Sequence, residues 1–253
     1  IGIAAGLATC GKIPFAASFA MFAAGRAFEQ VRNSVGYPHL NVKIAGSHAG
    51  ISVGEDGATH QCCEDLALMR TIPGMVVLNP ADHYEMLAAV KAAAAYEGPV
   101  YIRLGRLAVE SVHNNDDYTF ELGKGITLRD GKDITVVATG LMVQEAVKAA
   151  QDLEAQGIDA RVIDIHTIKP LDVDLLVKAA RETGRIVTVE EHNVIGGLGE
   201  AVASCLSEIC PTPVTKIGIY DQFGHSGPAV DLLKEFGLSA ENIAATVKKV
   251  LSK

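Results

Sequence analysis

Short apolar runs alternate with longer segments of helical periodicity along most of the chain. Residues 42–45, 75–78 and 99–104 have the length of buried strands, and a helical pattern follows each of the first two. The same alternation resumes with the apolar run at residues 134–138. Strands that alternate with helices form parallel sheets covered by helices. We therefore predict the α/β class, with two consecutive parallel-sheet domains.

The alternation is interrupted between residues 107 and 125, where the chain is polar and rich in Asn and Asp. Such a composition favours a linker over a helix or strand. We predict a first domain over residues 1–110, a linker over residues 111–124 and a second domain over residues 125–253. Ile1 already lies inside an apolar helical pattern with no capping residue before it. We therefore expect the start of the first domain to be missing.

The composition narrows the class of partner. With a formal net charge of -8 and an isoelectric point near 5.5, the chain lacks the basic surface that nucleic-acid binding requires. No apolar stretch reaches the length of a transmembrane helix, so we expect no membrane partner. The five cysteines include no C-x-x-C pair, which favours reduced thiols in the cytoplasm and no cysteine metal site.

The densest candidate chemistry lies in residues 46–70, between a predicted strand and a predicted helix. His48, Asp56 and His60 are spaced among glycines, which let a backbone adopt left-handed conformations and approach a ligand closely. Parallel sheets bind their ligands in loops beyond the carboxyl ends of strands. The spacing of the two histidines does not fit a zinc helix or finger. We predict a binding or catalytic loop, with purely structural histidines as the alternative.

Two pairs of residues outside this loop allow two interpretations each. Arg103 and Arg106 end a predicted strand, where guanidinium groups can clamp an anion or form surface ion pairs. Phe19 and Phe22 share one face of a predicted helix, which favours core packing, with a platform for a ring-shaped ligand as the alternative.

The Gly-Gly-Leu-Gly sequence at residues 196–199 lacks the third glycine of a dinucleotide fingerprint, so we expect an ordinary helix start there.

Several longer sequences resemble the transketolase family, and the resemblance covers essentially the whole chain. They are GIAAGLA at residues 2–8, PFAASF at 14–19, SHAGISVGEDGATHQ at 47–61, IRLGR at 102–106 and FGHSG at 223–227. The Gly-Glu-Asp-Gly centre of the longest one looks like transketolases more than deoxyxylulose-phosphate synthases or the β subunits of 2-oxoacid dehydrogenases. The resemblance implies a thiamine-diphosphate pyrimidine-binding domain, incomplete at its start, followed by a transketolase C-terminal domain.

The resemblance also implies a reaction and a set of roles. The family uses thiamine diphosphate to move a two-carbon ketol unit from a ketose phosphate to an aldose phosphate, while the protein supplies positioning and electrostatics. By resemblance, Phe22, helped by Phe19, packs on the aminopyrimidine ring of the cofactor. His60 lies near the reacting carbonyl as a hydrogen-bond donor and proton shuttle. Asp56 accepts a hydrogen bond from a sugar hydroxyl and sets the stereochemical preference.

The phosphate end of the substrate is assigned in the same way to His48 and Arg106, with Arg103 as a second candidate. The glutamate that activates the cofactor in the family is expected about four residues before Ile1, outside this sequence. In the family, the Mg²⁺ and diphosphate site belongs to an N-terminal domain, so we predict no metal ligands in this chain. We therefore expect the C-terminal subunit of a split, two-gene transketolase. It would be active only in an α2β2 assembly with an N-terminal subunit that ligates Mg²⁺.

Two alternatives remain open on the sequence alone. One is a β-type subunit of another thiamine enzyme, a 2-oxoacid dehydrogenase or a deoxyxylulose-phosphate synthase. The length and spacing of the loop from His48 to His60 argue against it. The other is a non-catalytic, transketolase-like binding or regulatory protein, which the missing glutamate permits. The joint presence of His48, Asp56, His60 and Arg106 argues against that reading.

Overall fold

The computed structural model describes residues 1–114 and 118–252, so residues 115–117 of the predicted linker lie outside the described residues. The strands are β1 (Phe15–Phe19), β2 (Lys43–Ser47), β3 (Val76–Leu78), β4 (Val100–Arg103), β5 (Ile126–Arg129), β6 (Ile134–Ala138), β7 (Ala160–Asp164), β8 (Thr167–Lys169), β9 (Ile186–Asn193) and β10 (Val214–Ile219). The helical segments are Gly2–Thr9, Met21–Arg26, Phe28–Gln30, Val31–Gly36, Ile51–Asp56, Asp65–Thr71, His83–Ala95, Met142–Glu154, Val173–Thr183, Leu198–Ile209, Ala229–Glu235 and Ala240–Leu251.

The first sheet has the strand order β1-β2-β4-β3-β8, and its first four strands are parallel. In the register of this sheet, Phe19 lies beside Ser47 and Gly46 lies beside Arg103. The carboxyl ends of β1, β2 and β4 therefore meet along one edge, which is where parallel sheets bind ligands. The second sheet has the order β10-β9-β6-β7-β5 and is also largely parallel. The predicted α/β class with two parallel-sheet units is confirmed.

Two strands were not predicted, and both are antiparallel to their neighbours. β5 pairs with β7, and β8 pairs with β3. β8 is only three residues long and follows β7 after Ile165 and His166, so its apolar residue looks like the continuation of β7. The strand nevertheless leaves the second sheet and completes the first one. The two units are thus joined by a shared sheet as well as by the linker.

The two sheets also share a hydrophobic core. Ile44 and Met69 from the first unit belong to the same buried cluster as Ile165 and Leu176 from the second. An apolar interface of this kind holds two units in a fixed relative position, because separating them would expose the shared apolar surface to water.

The segments Met21–Arg26 and Val31–Gly36 are π-helices, which are wider than an ordinary α-helix. The Ala27 amide donates to the Phe22 carbonyl at 3.2 Å, and the Tyr37 amide donates to the Arg32 carbonyl at 2.8 Å, so both bonds span five residues. Turns of this π type are rare and occur frequently at functional sites. The segment starts at Met21 because Phe19 is the last residue of β1. The prediction that Phe19 and Phe22 share one helix face is therefore wrong, because Phe19 lies in a strand.

None of the helices in the described part of the chain combines the length and the apolar character needed to cross a membrane.

Candidate active site

Phe19 and His48 meet at the carboxyl edge of the first sheet. The register of β1 and β2 places Phe19 beside Ser47, the residue before His48. The two rings stack with centroids 4.0 Å apart and 8° between their planes. His48 adopts a left-handed backbone conformation with φ of 56°, and its Nδ1 lies 3.1 Å from the Ser47 hydroxyl. The strand ends thus hold this imidazole against an aromatic face.

Phe22 and His60 complete a group of four rings. The Phe22 ring is 6.0 Å from Phe19 and nearly parallel to it, and the His60 ring approaches Phe22 edge-on at 5.4 Å. The His60 amide donates to the Gly57 carbonyl at 3.0 Å, so a tight turn fixes the imidazole. We call Phe19, Phe22, His48 and His60 the aromatic cluster. All four are half-buried, which leaves part of each ring available to a ligand.

Arg106 extends past the end of β4 and closes one side of the loop. Its guanidinium donates to the Val53 carbonyl and to a Glu55 carboxylate oxygen at 3.1 Å. A hydrogen bond from its own amide, together with Arg106, lowers the pKa of Glu55. Both side chains of the pair are exposed, and so is Asp56, the next residue. Arg106 can therefore exchange Glu55 for an external anion at little cost, since exposed ion pairs are weak.

Arg103 has a different environment from Arg106. Its guanidinium is enclosed, with Nε 2.9 Å from an Asp65 carboxylate oxygen and a second nitrogen donating to the Glu191 carbonyl at 2.8 Å. Burial alone would lower the pKa of Arg103, but the carboxylates of Asp65 and Glu191 raise it instead. These internal partners favour a structural role for Arg103, and its binding of the phosphate end stays a prediction.

Residues of the second unit hydrogen-bond to the loop between His48 and His60 and to Gln61, and pack against the loop. The Glu191 carboxylate, in β9, accepts a hydrogen bond from the Ser52 amide at 2.6 Å. The Gln61 side chain donates to the His225 carbonyl at 3.0 Å. Gly50 adopts φ of 85° and packs so closely that an added Cβ would lie 2.3 Å from the Glu191 carboxyl carbon. These contacts were not predicted, although two acidic residues at the end of an apolar strand are a signal of buried partners.

A cavity of about 300 Å³ is lined in part by Met21, Gln61 and Phe223. The Gln61 side-chain oxygen is buried and lacks a hydrogen-bond partner among the described residues. The half-buried rings of Phe19 and Phe22 offer flat faces on which an aminopyrimidine ring can pack. The residues present therefore fit the pyrimidine half of thiamine diphosphate.

The glycine sequence at residues 196–199 serves a helix start, as expected. The Glu190 carboxylate accepts hydrogen bonds from the Leu198 and Gly199 amides at 2.6 and 2.8 Å. Burial raises the pKa of Glu190 to about 7. Because this carboxylate already occupies the helix N-terminus, no nucleotide phosphate is needed to satisfy these amides.

Comparisons with known proteins identify the family of the chain. Family models of the transketolase pyrimidine-binding domain and the transketolase C-terminal domain match residues 1–111 and 123–243. A solved structure described as a split gene transketolase, inactive beta4 tetramer, matches with a TM-score of 0.93 and 56% identity, over 99% of this chain and 80% of that chain. A Methanocaldococcus jannaschii protein provisionally named a transketolase C-terminal section is 50% identical over 100% of this chain and 80% of its own length. The 6-deoxy-6-sulfo-D-fructose transketolase subunit SqwH of Clostridium sp. (strain MSTE9) is 48% identical over 99% of this chain and 77% of its own length.

The fold and the two domain matches define the chain as a member of the transketolase family. Within that family it belongs with the C-terminal subunits of split-gene transketolases, since its relatives are a C-terminal section, a subunit and a split-gene structure. The resemblance found in the sequence is confirmed.

The enclosed pair of Arg103 and Asp65 predicts a large stability effect. Replacing Asp65 with asparagine leaves a buried guanidinium without its carboxylate, so the free energy of unfolding should fall by about 3 kcal/mol. Glu110→Gln removes a carboxylate from an exposed pair, 3.1 Å from Lys148, and should cost less than about 1 kcal/mol. Urea unfolding of both variants measures the difference, and equal losses would show that the Arg103 pair is not structural.

Alanine at Gly50 tests the close packing of the loop against the second unit. Gly157 is the control, because alanine there introduces the backbone strain without the collision. Both glycines have positive φ, 85° and 80°, but an added Cβ at Gly157 meets open space. Gly157→Ala should therefore cost only the left-handed strain of about 1 kcal/mol. Gly50→Ala adds a collision with Glu191 and should cost clearly more in urea unfolding. Equal costs would contradict the close packing of loop and second unit.

Proposed function

We propose that the chain is the catalytic C-terminal subunit of a thiamine-diphosphate-dependent transketolase, which moves a two-carbon ketol unit from a ketose phosphate to an aldose phosphate. The observation that carries the proposal is the aromatic cluster at the carboxyl edge of three parallel strands, with Arg106 at its border. It combines a platform for a flat cofactor ring, imidazoles for proton movement and a cation for an anionic substrate end.

The cofactor would be shared between this chain and its partner subunit. When bound, thiamine diphosphate supplies an electron sink that permits cleavage and formation of a carbon–carbon bond next to a carbonyl. Phe22, helped by Phe19, would hold the aminopyrimidine ring. Mg²⁺ and the diphosphate would be held by the N-terminal subunit.

His60 would act on the substrate itself. Its Nδ1 lies 3.0 Å from the Thr59 hydroxyl, and this contact fixes the ring plane and leaves Nε2 for the substrate carbonyl oxygen. An imidazole at this position can donate a hydrogen bond and return a proton, because one of its two ring nitrogens can donate while the other accepts. Asp56 is exposed on the same loop and would accept a hydrogen bond from a sugar hydroxyl, which discriminates between stereoisomers.

The anionic end of the sugar would be bound by Arg106 and His48. The exposed pair of Arg106 with Glu55 keeps the guanidinium oriented until a phosphate replaces the carboxylate. One relative is named for a 6-deoxy-6-sulfo-D-fructose substrate, and a sulfonate is likewise an anion at the end of a sugar chain. We therefore define the substrate class as a ketose with a terminal anionic group, sugars of the pentose phosphate pathway being the first to test.

The assembly would be an α2β2 heterotetramer with an N-terminal transketolase subunit. A matching structure is described as an inactive tetramer of β chains, which supports self-association of this chain and no activity without its partner. We retain the proposed division into residues 1–110, 111–124 and 125–253. The cysteines in the described part of the chain are free, in keeping with the proposed cytoplasmic location.

Reconstitution tests this proposal. The chain alone should show no transfer from xylulose 5-phosphate to ribose 5-phosphate, because half of the cofactor site is absent. Adding its N-terminal subunit with thiamine diphosphate and Mg²⁺ should restore transfer in a coupled assay. A 2-oxoacid decarboxylation assay on the same mixture serves as the control for other thiamine enzymes. Activity of the chain alone, or no saturable cofactor binding in the mixture, would overturn the proposal.

A further inference from the structure

A second cluster of polar groups lies at the junction of the two units, apart from the aromatic cluster. Glu85 comes from helix His83–Ala95 of the first unit, Asp164 ends β7 of the second, and His113 comes from the connecting segment. All three are buried, at 0%, 0% and 8% exposure. Each offers one ligand atom, and these atoms lie within 4.8 Å of one another.

The hydrogen bonds around His113 leave one of its nitrogens facing a carboxylate. Its Nδ1 lies 3.2 Å from a carboxylate oxygen of Asp82, and that oxygen also accepts from the His113 amide. The Nε2 atom lies 3.5 Å from an Asp164 oxygen. Among the described residues, neither Nε2 nor either carboxylate oxygen of Asp164 has a hydrogen-bond partner. If Nδ1 carries the proton, the Nε2 lone pair and the carboxylate repel each other, and a cation between them would remove the repulsion.

We propose that Glu85, His113 and Asp164 form a binding site for a divalent transition-metal ion of the zinc class. One imidazole and two carboxylates are a ligand set that zinc and its neighbours accept, and metal bonds of about 2.0–2.2 Å would draw the three atoms together. Asp82 would act as the carboxylate that orients the histidine ligand, an arrangement found in many zinc sites.

Of the three ligands, His113 lines a cleft of about 560 Å³, together with Tyr118 and Ile126. Water that enters through this cleft would complete the coordination of the ion. The Tyr118 hydroxyl donates to one Glu85 carboxylate oxygen at 2.7 Å and the Ala81 amide donates to the other at 2.6 Å. Each oxygen therefore keeps one lone pair for a metal. Because the ligands come from both units and from the segment between them, the bound ion fastens the junction, and its role is structural.

A shared proton is the competing way to balance the same charges. Burial raises the pKa of Glu85 and of Asp164, and repulsion between the two carboxylates adds to the effect at Asp164. A proton held between the carboxyl groups would remove their repulsion without any metal. The experiment therefore has to separate a metal ion from a proton.

Metal titration of the chelator-treated chain makes this separation. Zn²⁺ at about a hundredfold excess over Kd should raise the thermal midpoint by about 5–10 °C. Co²⁺ should give a visible absorption band that saturates at one ion per chain. His113→Gln and Asp164→Asn should each abolish both effects. His225→Gln is the matched control, since His225 forms an exposed pair with Glu235 at 2.9 Å, and it should retain them.

Each result of the metal titration either supports or overturns the proposed site. Saturable binding of one ion that His113→Gln removes and His225→Gln preserves supports the site. No change of midpoint with either metal overturns it, as does equal binding by wild type and His113→Gln. If the midpoint of thermal unfolding rises on acidification and does not change with Zn²⁺ or Co²⁺, the cluster holds a shared proton, and the proposal is also overturned. If Asp164→Asn does not fold, His113→Gln carries the comparison.

Discussion

The buried ion pair of Arg103 with Asp65 is the interaction on which the active-site loop depends. A guanidinium enclosed in the protein must be neutralised and hydrogen-bonded, because an unpaired buried charge is very unfavourable. Asp65 at the start of helix Asp65–Thr71 supplies the carboxylate, and Glu191 in β9 supplies a carbonyl. One side chain therefore fixes β4, the helix after the loop and a strand of the second unit relative to one another.

The second unit limits the conformational freedom of the candidate active-site loop. The loop between His48 and His60 is rich in glycines with positive φ, and such a chain loses much conformational entropy when it becomes ordered. Hydrogen bonds from the Ser52 amide to Glu191 and from Gln61 to the His225 carbonyl tie the loop to the second unit and limit that freedom. His48 and His60 therefore lie on a loop held by the second unit, and order of this kind favours the positioning of groups that act in a transition state.

Much of this organisation could be predicted from the sequence, and the reasons for the remainder are physical. Periodicity identified β2, β3, β4 and β6, since buried parallel strands are apolar throughout. It missed β8, because three residues carry no period and the strand pairs with a distant sheet. The residue pattern alone could not distinguish Arg103, the last residue of β4, from Arg106, which lies three residues later. Their roles depend on Asp65 and Glu55, which lie 38 and 51 residues away in the chain.

The proposed role of His60 at the reacting carbonyl is tested most directly by the kinetics of His60→Asn in the reconstituted enzyme. His39→Asn is a matched control, because His39 is exposed and has a positive φ of 54° that asparagine tolerates. We expect His60→Asn to lower kcat/KM about a hundredfold or more with cofactor affinity unchanged, and His39→Asn to leave both at wild-type values. Full activity of His60→Asn, or an equal loss in His39→Asn, would contradict a role of His60 at the reacting carbonyl.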